Sequence, residues 1–317
     1  MKKILICGAT GFIGKNLLRH YAEQDYEIRA TYHNSEPLSE QYPSVEWVNC
    51  DLRSTEQVKA VLEDVDIVMQ FAATTTGAKD IVSKPYIHVT DNALMNSILL
   101  RESFEQGVEH FIFPSCTVMY QKSNTALKES DYNPSDKILP FYFGAGHTKV
   151  YLENMCKFYA GLGKTKHTVI RHSNIYGPHD KFDLEKSHVT GATITKVMSS
   201  KNGKVVVWGT GEESRDLLYV EDLLSFIDLA IDKQEESYEL FNVGIGQPIK
   251  IKNLVREVIE CSGKDLSIEH DLAMPTVPTS LFLDCSYAKS QLGWEPRYSL
   301  REGLAMTIQW YKDNIDE

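Results

Sequence analysis

Lys3-Ile4-Leu5-Ile6-Cys7-Gly8-Ala9-Thr10-Gly11-Phe12-Ile13-Gly14 is the stretch whose reading decides the fold. Residues 3–7 form a short apolar run of the kind that fills a parallel strand buried on both faces, and residues 15–23 read as the helix that follows. Three glycines stand between them. Gly8 permits a tight turn, Gly11 lets backbone approach a pyrophosphate, and Gly14 lets the helix pack on the strand, with the helix amino terminus facing the phosphates. Thr10, Phe12 and Ile13 complete this cofactor cradle. A glycine pattern alone is weak, but one lodged between strand and helix has the context that such a site needs. The alternative is a tight turn that binds nothing.

Outward from this unit, residues 27–31, 45–48, 65–71 and 110–113 read as further strands, with helices at 54–63 and 89–106. Strands alternating with helices specify an α/β fold, a doubly wound parallel sheet of the Rossmann type. Ligands of such sheets sit at the carboxyl ends of the strands, so residues 31–34, Asp51-Leu52, 72–76 and 114–120 should line one crevice. The expected division is a dinucleotide-binding domain of residues 1–170 plus about 217–243, and a smaller α/β substrate-binding domain of residues 171–216 and 244–317.

Composition narrows the functions open to the chain. Its 317 residues carry 33 Lys plus Arg against 44 Asp plus Glu, a net charge of -11 that disfavours nucleic acid and membrane surfaces as partners. Cys7, Cys50, Cys116, Cys156, Cys261 and Cys285 are scattered without metal-binding spacing, so no metal is expected, and the reading is of reduced thiols in the cytoplasm. No run of about 18 or more apolar residues offers a membrane span.

The Gly8–Gly14 motif, Asp51-Leu52, Ala72-Ala73 and Asn92 at a helix start together resemble the extended short-chain dehydrogenase/reductase family, also described as the NAD-dependent epimerase/dehydratase family. That resemblance covers nearly the whole chain. It implies pyrophosphate, adenine, cofactor-ribose and active-site-floor contacts at those positions in turn, with Thr74 and Thr75 beside them and Ser173 flanking a nicotinamide. The cofactor implied is NAD, with NADP not excluded. The end of the second strand, Thr31-Tyr32-His33-Asn34, holds neither the Asp that reads an NAD ribose nor a clear Arg for a 2′-phosphate. Arg29 lies in the strand, and His33 is either a cofactor contact or a solvated loop residue.

In the second domain, Arg171-His172-Ser173-Asn174-Ile175-Tyr176-Gly177-Pro178 is similar to the family's substrate entrance, and Ser214-Arg215-Asp216 to the stretch whose Arg grips a diphosphate. Asn174 then touches substrate, or caps local backbone as a turn residue. Arg215 holds the diphosphate, or forms a surface ion pair with Glu212, Glu213 or Asp216. Trp208 is a further substrate residue. Pro278-Thr279-Ser280-Leu281 lacks the basic residue that many relatives place before Asp284.

Residues 176–182 followed by Ser187-His188-Val189 most resemble GDP-fucose synthase, which acts on GDP-linked 4-keto sugars. The implied substrate is therefore a GDP-manno-configured hexose or heptose, worked on at C4 in the synthesis of surface polysaccharide sugars, by an enzyme that is at least a dimer. Lys181, His188 and Val189 are its substrate residues. His188 is either the family's epimerisation acid or a hydroxyl ligand. The partner cysteine of that acid falls on Val118, and an epimerase needs a proton-bearing group on each face of the carbon.

The family's chemistry rests on Tyr-x-x-x-Lys, whose one-turn spacing sets a phenol beside an ammonium that lowers its pKa. Here Lys149 is the lysine and Ala145 stands at the tyrosine position. The family's Ser/Thr falls on the set Ser115, Cys116 and Thr117. Three accounts of Ala145 are open. It is an introduced inactivating substitution; or it is native, with Tyr142, His147 or His188 handling the proton; or the protein binds cofactor and sugar without turnover. The expectation is an NAD(P)-dependent nucleotide-sugar oxidoreductase, with an epimerase or a non-catalytic nucleotide-binding module as alternatives.

Overall fold

A computed structural model of the chain describes residues 1–75, 83–184, 187–274, 276 and 279–315; Thr76 and Pro278 lie outside them. In chain order the strands are β1 (Lys2–Cys7), β2 (Tyr26–Tyr32), β3 (Glu46–Asn49), β4 (Ile67–Gln70), β5 (His110–Pro114), β6 (Lys166–His172), β7 (Asn174–Tyr176), β8 (Lys204–Trp208), β9 (Ser214–Arg215), β10 (Leu217–Tyr219), β11 (Tyr238–Val243), β12 (Ile249–Lys250) and β13 (Ser267–Asp271). Among the described residues seven of these make one sheet, ordered β11-β6-β5-β4-β1-β2-β3 with every pair parallel. The order reverses between β1 and β4, and the glycine turn after β1 opens at that reversal.

Strand alternation splits the core in two. Ile4, Ile6, Ile112 and Ile170 point to one face, covered by the helices Phe12–Tyr21 and Val220–Lys233; Leu5, Cys7, Phe111 and Val169 point to the other, under Thr55–Val61, Thr90–Gln106 and Phe143–Ala160. Each face is largely apolar, with buried polar side chains at Thr31, Gln70, His110, His167, Thr168 and Arg171. A parallel sheet needs that cover on both sides, and it explains why β1 reads as a continuous hydrophobic run.

Three short pairs carry the rest of the chain: β7 with β10, β8 with β13, and β9 with β12. They are joined by the helices Val189–Ser199, Ile251–Ser262 and Leu300–Asn314. Trp294 is buried as an anchor, donating from Nε1 to the carbonyl of Asp222 and to Ser225 Oγ, both at 3.1 Å. The expected elements are present with ends shifted by a few residues. The first helix begins at Phe12 rather than at residue 15, because Gly14 has an ordinary helical backbone and continues the turn instead of interrupting it. Among the described residues no helix is long and apolar enough to cross a membrane.

Candidate active site

Gly8 has a φ of +74°, and a Cβ there would stand 2.7 Å from Ala72 Cα, so the turn lies directly against the chain leaving β4. At Gly14 a Cβ would come within 2.1 Å of the Gly8 carbonyl oxygen. The helix therefore abuts the turn. Gly11 precedes the helix as a cap without a side chain, and the helix's first turn holds no acidic residue, so its leading N–H groups and positive dipole end are left for an anion. Thr10, Gly11, Phe12 and Ile13 all line the cavity above. These features fit a dinucleotide pyrophosphate. The cavity holds about 1300 Å³, more than the ~300–1,000 Å³ usual for one ligand.

Tyr32, His33 and Leu52 line the end of the cavity beyond the cradle, but Asp51 does not. Arg53 donates to the Asp51 carboxylate from its backbone N (3.0 Å), Nε (2.9 Å) and Nη2 (2.9 Å), and this holds the carboxyl down at about 2. Of the expected adenine pair, then, Leu52 faces the cavity while Asp51 braces the turn. Arg29 is also engaged, donating to Glu46 at 2.8 Å and to the carbonyls of Val61 (2.9 Å) and Glu63 (2.7 Å).

Ala72, Ala73, Thr74 and Thr75 line the next stretch. Asn92, expected on the active-site floor, ties this loop down: Thr74 N donates to Asn92 Oδ1 (3.0 Å), and Asn92 Nδ2 donates to the carbonyls of Thr74 and His88, both at 2.9 Å. Its amide positions the loop.

Helix Phe143–Ala160 brings Ala145 and Lys149 to the cavity along one face, with Tyr142 just before its start. His147 sits outside the lining, exposed, with its ring 4.5 Å from that of Phe143. Lys149 Nζ donates to the Pro114 carbonyl at 2.6 Å and stands 4.8 Å above the Phe113 ring; burial draws its pKa down, against the pull of Cys116 and Glu153. The set Ser115, Cys116 and Thr117 divides. Ser115 is 1% exposed and its Oγ donates to Glu153, which also takes Arg171 Nε (3.0 Å) and Nη2 (2.7 Å). Arg171 in turn donates to Tyr120 Oη at 3.0 Å, and Tyr120 to Asn242 Oδ1 at 2.8 Å. All three line the cavity, but the Ser115 hydroxyl is tied into a buried scaffold through Glu153, whereas the Cys116 thiol is in electrostatic reach of both Lys149 and Tyr142. Burial pushes the pKa of the thiol up, and that of the Tyr142 phenol likewise, with Arg215 opposing the latter.

Across the cavity, Arg215 is largely buried and donates from Nη1 to the carbonyls of Ser214 (2.9 Å) and Thr279. Its acidic neighbours in sequence are mostly engaged elsewhere: Glu212 pairs with Lys250 (2.8 Å) and Lys252, and buried Asp216 accepts from the N–H groups of Ile245 (2.8 Å), Gly246 (3.1 Å) and Leu283 (3.0 Å). Glu213 remains in electrostatic reach. Asn174 lines the cavity but donates from Nδ2 to the Asp216 carbonyl at 3.1 Å, so its amide holds the local backbone. Trp208 stands at the rim under Lys196 Nζ, 4.8 Å from its ring.

His188 opens helix Val189–Ser199, and both His188 and Val189 line the cavity with Lys181. The pKa of His188 is drawn down by its surroundings, then by Lys181 and His88. Among the lining residues that the sequence reading did not single out are two histidines: His88, at the end of the turn Pro85–His88, and His172, the last residue of β6. Ser173, next in the chain, is buried at the same strand end and lines the cavity too. Among the described residues no group of three or more metal-ligating side chains converges.

Residues 4–244 match the model of the NAD dependent epimerase/dehydratase family. GDP-mannose 3,5-epimerase of Arabidopsis thaliana is 26% identical over 99% of this chain and 83% of its own length. GDP-L-fucose synthase of Azorhizobium caulinodans is 29% identical over 98% and 96%. The UDP-glucose 4-epimerase of Thermotoga maritima, solved with UDP-glucose, superposes with a TM-score of 0.87 at 24% identity, over 99% of both chains. That last likeness concerns the fold.

Proposed function

The chain belongs to the NAD dependent epimerase/dehydratase family, and from that premise we propose that it moves a hydride at C4 of a nucleotide-linked sugar, favoured as a GDP-manno-configured hexose or heptose, in surface polysaccharide synthesis. The observation that carries this reading is one continuous cavity, running from the glycine cradle past Lys149 to Arg215 and Trp208. Its volume suits two ligands meeting end to end. NAD, when bound, supplies the hydride acceptor or donor. The amide groups at the start of helix Phe12–Tyr21 hold its pyrophosphate, and Leu52 and Ala72 flank its adenosine half. Arg215 holds the sugar's diphosphate through its fixed charge and forked donors, Trp208 offers a face for the base, and Lys181 and His188 meet the sugar. Lys149 fixes positive charge where the reacting oxygen gains negative charge.

The second reading, epimerisation through a transient 4-keto sugar, gains support from His88 lying in electrostatic reach of His188, because two proton-bearing groups are what inversion needs. Phe143, Tyr151 and Phe158 expose an apolar stripe on helix Phe143–Ala160, at spacings of eight and seven residues. We assign this stripe to a second copy of the chain, to be checked by light scattering.

The reading is tested by following absorbance at 340 nm with NAD and GDP-hexoses, for this chain and for Ala145→Tyr. Turnover is expected in both, faster in the variant by up to about 100-fold because it restores a phenol one turn before Lys149. Turnover in Ala145→Tyr alone would identify a binding module that lacks its proton-transfer group. Turnover in neither overturns the enzyme reading.

A further inference from the structure

Without a phenol at position 145, the proton of the reacting hydroxyl has to go to another group. This inference rests on the hydride-transfer reading of the cavity. Most polar groups around Lys149 are donors. The ammonium itself donates to Pro114, Ser115 Oγ donates to Glu153, and burial keeps the Cys116 thiol and the Tyr142 phenol protonated. None of these accepts a proton at neutral pH.

His172 differs from them. It ends β6 beside Ser173, and strand alternation sends Arg171 to the Glu153 scaffold on one face and His172 to the other. It lines the cavity with Lys149 and His188 both in electrostatic reach, and burial, reinforced by these two neighbours, holds its pKa at about 4. Its Nδ1 lies 2.7 Å from the Ser173 carbonyl oxygen. A carbonyl only accepts, so Nδ1 carries the ring proton and the neutral imidazole keeps its lone pair on Nε2.

We propose that His172 is the catalytic base that replaces the absent tyrosine, with Nε2 as the atom that takes the proton of the sugar hydroxyl. As the C–H bond at that carbon breaks and its electron pair leaves as hydride to the nicotinamide, the O–H bond breaks, the proton moves to Nε2 and the C=O bond forms. In the reverse direction the imidazolium returns the proton. Lys149 stays protonated and steadies the oxygen, while His188, in electrostatic reach of His172 and open to the cavity, passes the proton toward solvent.

The test begins on the unliganded protein, where ¹⁵N NMR of its histidines should show His172 protonated on Nδ1 and titrating well below the ordinary value of about 6.5. With NAD and GDP-mannose, His172→Gln should lower kcat about 100-fold or more while KM and NAD affinity hold within about threefold. Added imidazole should restore part of the rate to His172→Ala, and the double variant Ala145→Tyr/His172→Gln should recover through the phenol. Full activity in His172→Gln, or a ring that holds its proton on Nε2 or titrates at the ordinary value, overturns the assignment and leaves the hydride-transfer reading intact. Failure of the unaltered chain to reduce NAD with any GDP- or UDP-hexose overturns that reading, and this one with it.

Discussion

Replacing Gly14 with alanine adds one methyl group at the tightest point of the phosphate cradle. That carbon would stand 2.1 Å from the Gly8 carbonyl oxygen and 2.7 Å from Ala9 Cα, both backbone atoms that cannot swing aside as a side chain would. Relieving the contact means parting helix Phe12–Tyr21 from the turn by roughly 1 Å. An N–H···O bond of ordinary length does not survive that displacement. Hydrogen bonds to a charged partner contribute about 1.5–3 kcal/mol each, so losing one or two from the pyrophosphate costs about 1.5–6 kcal/mol, at least a roughly 10-fold fall in NAD affinity. Helix propensity acts the other way, since alanine is favoured over glycine by up to about 1 kcal/mol in a helix. Gly14→Ala should therefore lose far more affinity than stability. Calorimetric titration with NAD, beside urea unfolding of the same preparations, measures both. A folded variant that binds NAD within about threefold of the parent would refute the reasoning.

Two further outcomes follow from groups outside the cavity. Glu153→Ala strips the buried Arg171 guanidinium of its partner at 2.7 Å and should destabilise the fold by about 3–5 kcal/mol in urea, with a loss below about 1 kcal/mol contradicting the scaffold role. His167 is fully buried and held neutral by burial, with a pKa of about 4 against 6.5 when free. Between those values the unfolded chain binds the proton and the native chain does not, so stability falls as pH drops through the window. His167→Asn should flatten that slope by up to about 1.4 kcal/mol per pH unit, and an unchanged slope from pH 6.5 to 4.5 would count against the assignment.

The cradle was legible because each of its glycines answers a local need: Gly8 and Gly14 are judged against atoms a few residues away or on the next strand. Lys149 and Ala145 were legible for the same reason, being one turn apart on one helix. What the sequence obscured were side chains whose partners are set elsewhere. Asp51 read as an adenine contact, but Arg53 two residues on claims its carboxylate. Ser115, Asn92 and Asn174 carry the right chemistry for a site, yet each is bound to Glu153, to the loop at Thr74 or to the Asp216 carbonyl. His172 stood inside the stretch read as the substrate entrance and was given no role of its own. Its meeting with Lys149, 23 residues earlier, depends on β5 and β6 lying side by side under helix Phe143–Ala160. His88 and His188, a hundred residues apart in the chain, come into electrostatic reach only through the fold that makes both line one cavity.

We propose that this cavity takes a dinucleotide and a nucleotide sugar at the same time. Native mass spectrometry of the protein given NAD and GDP-mannose together tests it most directly. The expected species carries one dinucleotide and one GDP-hexose per protomer. Gly14→Ala should lose the first ligand, and Arg215→Met the second. Ligands that exclude each other, or a GDP-hexose that never binds to the NAD complex, would show that the cavity does not hold both at once.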